Sequence, residues 1–257
     1  MRASAEISRP RGAASIPRPL RDLHWSLLPS SCLLCGLPAP NGLDLCDVCR
    51  GDLPSVDRPC LGCALPLPEA SVVALCGRCQ RHPHRFDRLH ARCLYQDPAD
   101  LLVQALKFSA QPAAARIMAT LMLERPPREF HGAVLLPVPL HWWRRWRRGF
   151  DQAELLARQL ARGAGLPLLC GAATRSRATA AQSGLGRVAR RRNLADAFTI
   201  RAATLPPHLI LIDDVATSGA TLDALAAACR RAGAERVDAW VFARTPPPRS
   251  GSARPGG

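Results

Sequence analysis

The sequence predicts an α/β fold: a mostly parallel sheet flanked by helices, preceded by a small cysteine-rich module. Three observations carry this prediction. From residue 85 onwards, short apolar runs alternate with stretches of helical period, the pattern of parallel strands joined by crossover helices. One such run, 209–212 (LILI), passes directly into Asp213, Asp214 and a loop of small residues. Before residue 85, eight cysteines stand in four C-x-x-C pairs.

A chain of 257 residues accommodates two units of ordinary size. With 47% hydrophobic and 21% charged residues, a disordered chain, a collagen-like fibre and a coiled coil are excluded as the main architecture. No apolar run approaches the ~20 residues of a membrane-spanning helix. The first twenty residues lack the apolar core of a signal peptide. A soluble, cytoplasmic protein is therefore expected. Residues 1–22 and 246–257, rich in Arg, Pro, Gly and Ser, read as disordered tails. The cysteine module takes 23–84 and the α/β domain 85–245.

The cysteines are Cys32 and Cys35, Cys46 and Cys49, Cys60 and Cys63, Cys76 and Cys79. Structural disulfides are disfavoured in a reducing compartment, and redox pairs or scattered core thiols do not produce four such pairs in 48 residues. Four thiolates per ion suit a closed, structural zinc site, so two zinc ions are expected and neither is hydrolytic. Asn41-Gly42 sits midway between the first two pairs, where a tight turn belongs. In-order pairing lets each hairpin close locally; crossed pairing remains the alternative. A module of this kind reads as separable, so chelation should leave the α/β domain intact. His82 and His84 follow as spare ligands or as solvated loop residues. Cys93, Cys170 and Cys229 read as buried thiols.

In the second domain, 86–95 reads as a strand or hairpin, and 98–108 as a helix with Leu101, Leu102, Ala105 and Phe108 at helical spacing. Pro112 opens a second helix to about residue 124. AVLLPV (133–138) is a buried strand. Residues 150–162 form an amphipathic helix stopped by Gly163 and Gly165. Residues 209–212, 221–232 and 237–243 complete a strand, a helix and a strand.

The net charge is +15, and it is localised. Residues 141–192 hold twelve arginines against Asp151 and Glu154, a net of +10. Such a field attracts phosphates, pyrophosphates or nucleic acid. Within it, HWWRRWRRGF (141–150) interleaves Trp142, Trp143 and Trp146 with Arg144, Arg145, Arg147 and Arg148. Those arginines suit a pyrophosphate at a strand end, or single-stranded nucleic acid gripped between stacking aromatics; alternatively the tryptophans pack and the arginines are solvated. The stretch 175–192 reads as a mobile lid. Its GLGRVA follows no strand and is not a dinucleotide site. Lys107 is the only lysine in a chain that otherwise uses arginine, a hint that a compact ammonium is required.

LILIDDVATSGAT (209–221) combines strand, acid pair, loop and helix start. Backbone N–H groups at a helix N-terminus bind phosphate. Thr217, Ser218 and Thr221 add hydroxyls, and Gly219 admits close approach. Two acids beside an anion site are explained by a ligand that also carries a diol or a magnesium ion, hence a ribose 5-phosphate. The alternative is a plain strand–turn–helix whose acids cap the helix.

The segment resembles the phosphoribosyl pyrophosphate loop of type I phosphoribosyltransferases. The resemblance implies that Asp213 and Asp214, the candidate catalytic pair, hold the ribose hydroxyls. It implies that Thr217, Ser218, Gly219, Ala220 and Thr221 hold the 5′-phosphate of a magnesium-bound ligand. Ala216 stands where that family usually has a larger aliphatic residue. The cysteine pairs, ALKFSAQ (105–111), LPVPLHWWRRWRRGFDQAELLA (136–157), RSRATAAQSGLGRVARRRNLADAF (175–198) and the loop together resemble, over about 23–244, the ComF/GntX family. Its usual RGFNQ is RGFDQ here, with Asp151. This resemblance implies a double zinc ribbon, a type I phosphoribosyltransferase-like fold, and a role in DNA uptake or use of DNA as nutrient, with competence or DNA-processing proteins as partners. It leaves Lys107, Arg144, Arg145, Arg147 and Arg148 as pyrophosphate or nucleic-acid contacts. The competing class is a module that binds single-stranded DNA and keeps the fold as a scaffold or sensor.

Overall fold

The computed structural model describes residues 7–8, 30–39, 42–109, 111–175 and 197–247. In chain order the elements are β1 (Ile7–Ser8), α1 (Asp47–Gly51), α2 (Gly77–Arg81), β2 (Leu89–Leu94), α3 (Ala99–Ser109) and α4 (Pro112–Leu123). Then come β3 (Val134–Pro137), α5 (Trp142–Arg148), α6 (Gln152–Ala164), β4 (Leu168–Leu169), β5 (Ala173–Arg175) and β6 (Phe198–Ile200). The chain continues through β7 (His208–Ala216), α7 (Ala220–Arg231) and β8 (Arg236–Arg244). The main sheet runs β1-β4-β3-β7-β8-β2. Its strands are parallel except for β1, whose two residues, in the stretch expected as a tail, pair antiparallel with β4.

The long central strands are apolar on both sides, as a doubly covered parallel sheet requires. Along β7, Ile210 and Ile212 face α3, α4 and α6 in one core. Leu209 and Leu211 face α7 in the other. The chain crosses from β3 to β4 through α6 and from β7 to β8 through α7, in opposite directions on opposite faces. The order reverses between β3 and β7, and a crevice at the carboxyl ends of strands opens at such a switch point.

Several expectations are refined. Residues 86–95 hold one strand, β2, beside β8. The four-residue run at 209–212 becomes a nine-residue strand, because β8 pairs with it from His208↔Arg236 to Ala216↔Arg244. Helix α6 passes through Gly163 and stops at Gly165, which takes a left-handed φ of 66°. Helix α5 and the β5–β6 pair have no counterpart in the sequence pattern. Asn41 and the proposed lid beyond residue 175 lie largely outside the described residues.

The cysteine module packs into both cores of the α/β domain. Cys32, Ala39, Leu45 and Cys46 of its first half sit in the α3–α4–α6 core. Arg116 of α4 pairs with Asp44, and Arg50 reaches Glu124 at 2.9 Å. Ala64 of the second half is buried in the core on the other face. The connecting chain follows the free side of β2: Ser55 bridges Cys93, Leu94 N–H donates to the Pro54 carbonyl at 2.8 Å, and Leu89 N–H to that of Leu61 at 3.1 Å.

Asp151 explains the departure from RGFNQ. It caps α6, its Oδ1 accepting from the N–H of Ala153 at 3.0 Å and Glu154 at 3.3 Å. Its Oδ2 accepts from Leu140 N–H at 2.9 Å, fixing the segment that leaves β3. Both oxygens therefore accept. An amide at this place sets a donor against a donor. Asp151→Asn is expected to cost about 1–3 kcal/mol, the penalty of a buried donor left unmet. Urea unfolding of the two proteins checks it, and equal midpoints would contradict the assignment.

Candidate anion site and zinc centres

The eight paired cysteines form two clusters, Cys32–Cys35–Cys46–Cys49 and Cys60–Cys63–Cys76–Cys79, with all sulfurs of each within 4.8 Å of one another. Pairing is therefore in order, each hairpin closing on itself. Four sulfurs at ~2.3 Å from a central ion stand about 3.8 Å apart. Cys35 and Cys46 lie 3.7 Å apart, as do Cys63 and Cys76. All are free thiols. The donor set is complete and fits two structural zinc ions. In the second knuckle a Cβ on Gly62 would stand 3.1 Å from the Cys79 side chain, a tight contact beside the sulfurs. Of the remaining cysteines, Cys93 and Cys229 are buried, and burial pushes both thiols to about 12.

The acid pair lies near the carboxyl end of β7, at the switch point. The two carboxyls interact with each other, Asp214 acting on Asp213 through its charge and a side-chain hydrogen bond. Asp213 is half-buried and Asp214 buried. Burial, then the charge of Asp214, hold the Asp213 carboxyl well above the usual carboxylate range. Each acid also accepts a backbone N–H, Asp213 from Asp214 and Asp214 from Val215, both at 2.9 Å. The single lysine is explained here: Lys107 Nζ, from the end of α3, stands 3.0 Å from Asp214 Oδ2. Thus Lys107, Asp213 and Asp214 are brought together.

The loop follows at once. Thr217 and Ser218 are exposed. Ser218 Oγ accepts from Ala220 N–H at 3.3 Å. Gly219 caps α7 with φ 79°, a left-handed conformation that disfavours a Cβ. Ala220 and Thr221 open the helix, whose first-turn N–H groups are the natural anion donors.

Sequence reasoning missed three residues around this loop. His84 is not solvated: its side chain is 9% exposed. Its Nδ1 lies 2.8 Å from Asp223 Oδ2 in the first turn of α7, and its ring stacks on Phe86 at 4.5 Å. A Cβ on Gly219 would stand 3.3 Å from the His84 ring. Asp223 also accepts from Arg85 N–H at 2.7 Å. Arg244, the last residue of β8, is buried beneath the loop. Nothing local in the sequence marks them; all three contacts span more than a hundred residues or unite separate strands.

The arginine–tryptophan segment forms α5. Trp143 and Trp146 stack at 5.4 Å and are 48% and 73% exposed. Arg147 is exposed. Arg148 donates to Gln152 at 3.1 Å and lies 5.7 Å over the Phe108 ring, itself 74% exposed. Phe108 adjoins Lys107, so this aromatic and cationic surface continues from the acid pair. The side chains of Trp142, Arg144 and Arg145 lie outside the described residues. No helix among the described residues is long and apolar enough to cross a membrane.

Comparison with known proteins adds two findings. The double zinc ribbon domain family matches residues 23–80. DNA utilization protein YhgH of Salmonella typhimurium is 36% identical over 225 residues, 85% of this chain and 98% of that protein. The protein of the same name from Escherichia coli K12 is 34% identical over the same span. Competence protein F of Haemophilus influenzae is 34% identical over 178 residues, 66% of this chain and 78% of that protein.

Two outcomes are expected. Metal analysis of the purified protein should return two zinc ions per chain, and Cys46→Ser should reduce this to one. The second concerns pH. A carboxyl whose pKa is raised by folding stabilises the fold at low pH, and that contribution is lost as pH rises through the folded value. Asp213→Asn should therefore raise the melting temperature of the ligand-free protein near pH 8 and gain nothing at about pH 4. A difference independent of pH would contradict the raised pKa.

Proposed function

The chain belongs to the ComF/GntX family, together with DNA utilization protein YhgH and Competence protein F, and on that premise we propose that it is a cytoplasmic phosphoribosyl pyrophosphate-binding, phosphoribosyltransferase-like protein that serves DNA uptake or the use of DNA as nutrient. The observation that carries this reading is the coincidence of Lys107, Asp213 and Asp214 at the switch point, one residue pair ahead of the Thr217–Thr221 loop. An acid pair repels a bare polyanion, yet it accepts two neighbouring hydroxyls well.

In this reading the loop N–H groups and the hydroxyls of Thr217, Ser218 and Thr221 hold the 5′-phosphate. Asp213 and Asp214 accept the ribose hydroxyls, and Lys107 offsets the charge of the pair and stands ready for the pyrophosphate. Asp213 and Asp214 are also the residues suited to a magnesium-bound ligand, where the ion would neutralise pyrophosphate. Glycosyl transfer would break the bond from ribose C1 to the pyrophosphate oxygen, the electron pair leaving with pyrophosphate while a nucleophile bonds to C1. Fixed cations such as Lys107 stabilise that leaving charge.

A second reading, single-stranded DNA bound on the same edge, is favoured by the exposed Trp143–Trp146 stack with Arg147 and Arg148 beside Phe108. Bases stack on such aromatic faces while arginine grips phosphates.

Calorimetry with phosphoribosyl pyrophosphate and Mg²⁺ separates the two. Asp213→Asn and Asp214→Asn each lose charge-assisted hydrogen bonds of ~1.5–3 kcal/mol, an expected drop of roughly 10- to 150-fold in affinity. Their DNA affinity should be unchanged or slightly tighter. No binding by the wild type would remove the first reading. For DNA, log K should fall with log salt at about −0.7 per phosphate contact. Trp146→Ala should weaken binding by ~1–3 kcal/mol, the worth of one base stack. A flat salt response would remove the second reading.

A further inference from the structure

Arg244 is 3% exposed, and its guanidinium donates to four backbone carbonyls. Nε reaches Cys63 at 2.7 Å, in the second cysteine cluster. Nη1 reaches Ala216 at 2.9 Å, Thr245 at 2.8 Å, and Thr217. One side chain thus holds a cluster residue, the last residue of β7 and the first residue of the turn that follows. A buried cation needs a countercharge. Burial works against the charge of this one, and so does the nearby Arg78. Four thiolates around one zinc ion carry a net charge of minus two, more than enough to balance a guanidinium. Neutral, metal-free thiols supply nothing of the kind.

The hydrogen bonds also have a direction. In a trans peptide the carbonyl and the following N–H point opposite ways. The carbonyls of Ala216 and Thr217 turn towards Arg244, so the N–H groups of Thr217 and Ser218 turn away from it. Those are the first N–H groups of the anion loop. His84, which lies between the second cluster and β2, adds a second tie through Asp223 and packs over Gly219.

We propose that Arg244 is a positioning residue through which the second cysteine cluster, holding zinc, fixes the shape of the anion loop. The cluster on the opposite face of the sheet has no part in this. The consequence for ligand affinity rests on the phosphoribosyl pyrophosphate reading above; the consequence for the loop does not.

Amide hydrogen exchange on the zinc-loaded protein reads the loop directly, with 216–221 as reporter and 134–137 as reference. Exchange at 216–221 is expected to accelerate about tenfold or more in Arg244→Gln and in Cys79→Ser, with 134–137 unchanged. Cys35→Ser, in the first cluster, should leave 216–221 at the wild-type rate. Arg244→Lys, which keeps the charge but loses the planar fork, should fall between wild type and Arg244→Gln. If Cys79→Ser accelerates 134–137 as well, the two Arg244 variants decide. Wild-type exchange at 216–221 in Arg244→Gln overturns the proposal, as does equal acceleration there by Cys35→Ser and Cys79→Ser. Calorimetry adds the functional arm: Arg244→Gln should bind phosphoribosyl pyrophosphate with Mg²⁺ about tenfold more weakly, ~1.4 kcal/mol. If the wild type does not bind that ligand, the reading under Proposed function falls, and the exchange contrast still decides the role of Arg244.

Discussion

The parallel pairing of β7 with β8 in one register is the constraint on which the site depends. It runs from His208↔Arg236 to Ala216↔Arg244 without a change of register. A strand that ended with its apolar residues would stop at Ile212. Pairing carries it four residues further, so two carboxylates are held rigidly in a sheet rather than on a loop. The same register brings the last residue of β8 level with the last residue of β7. That places a guanidinium under the turn, where it can reach two consecutive carbonyls.

The electrostatics of the site run against those of the chain. The protein carries +15 overall, yet its buried polar groups at the switch point are mainly acids. Asp214 is offset by a lysine and Asp213 by nothing of equal strength, which is why burial and its neighbour raise its pKa. Such an arrangement costs stability in the free protein and is repaired by a ligand that donates hydroxyl protons or brings a cation. Burial raises the Asp151 carboxyl as well, but there both oxygens are met by backbone N–H groups, which oppose the shift. Its role is to hold backbone, and it lies seven or fewer residues from every arginine of α5.

Features set by local pattern were legible in the sequence. The zinc clusters were, because four thiolates must be brought close by short spacings and tight knuckles. The strand–acid–loop–helix unit was, because an apolar run, two acids, a loop of small residues and a helical period follow one another without a gap. The two long helices that follow β2 were, because each buries a face of helical period. What the sequence hid is all non-local. The length of β7 is imposed by its partner strand. His84 looks solvated until Asp223, 139 residues away, is brought to it. Lys107 stood out only as an isolated lysine, and its partner Asp214 lies across the domain. The packing of the zinc module against the α/β domain was hidden because spacing reports the metal ligands and says nothing of the apolar surface around them. Cys32, Leu45 and Ala64 bury that surface in the main cores.

The path of the chain between the two cysteine clusters has an effect on solubility. Strand β2 is the last of the main sheet, and a bare outer strand offers its N–H and C=O groups to any extended chain it meets. Here the segment around Pro54, Ser55 and Leu61 lies along that side and takes up the N–H groups of Leu89 and Leu94. Anchored at both ends by a cysteine cluster, this segment works as a guard rail on the open edge. A rail released from either anchor would leave the N–H groups of β2 open to sheet-to-sheet pairing.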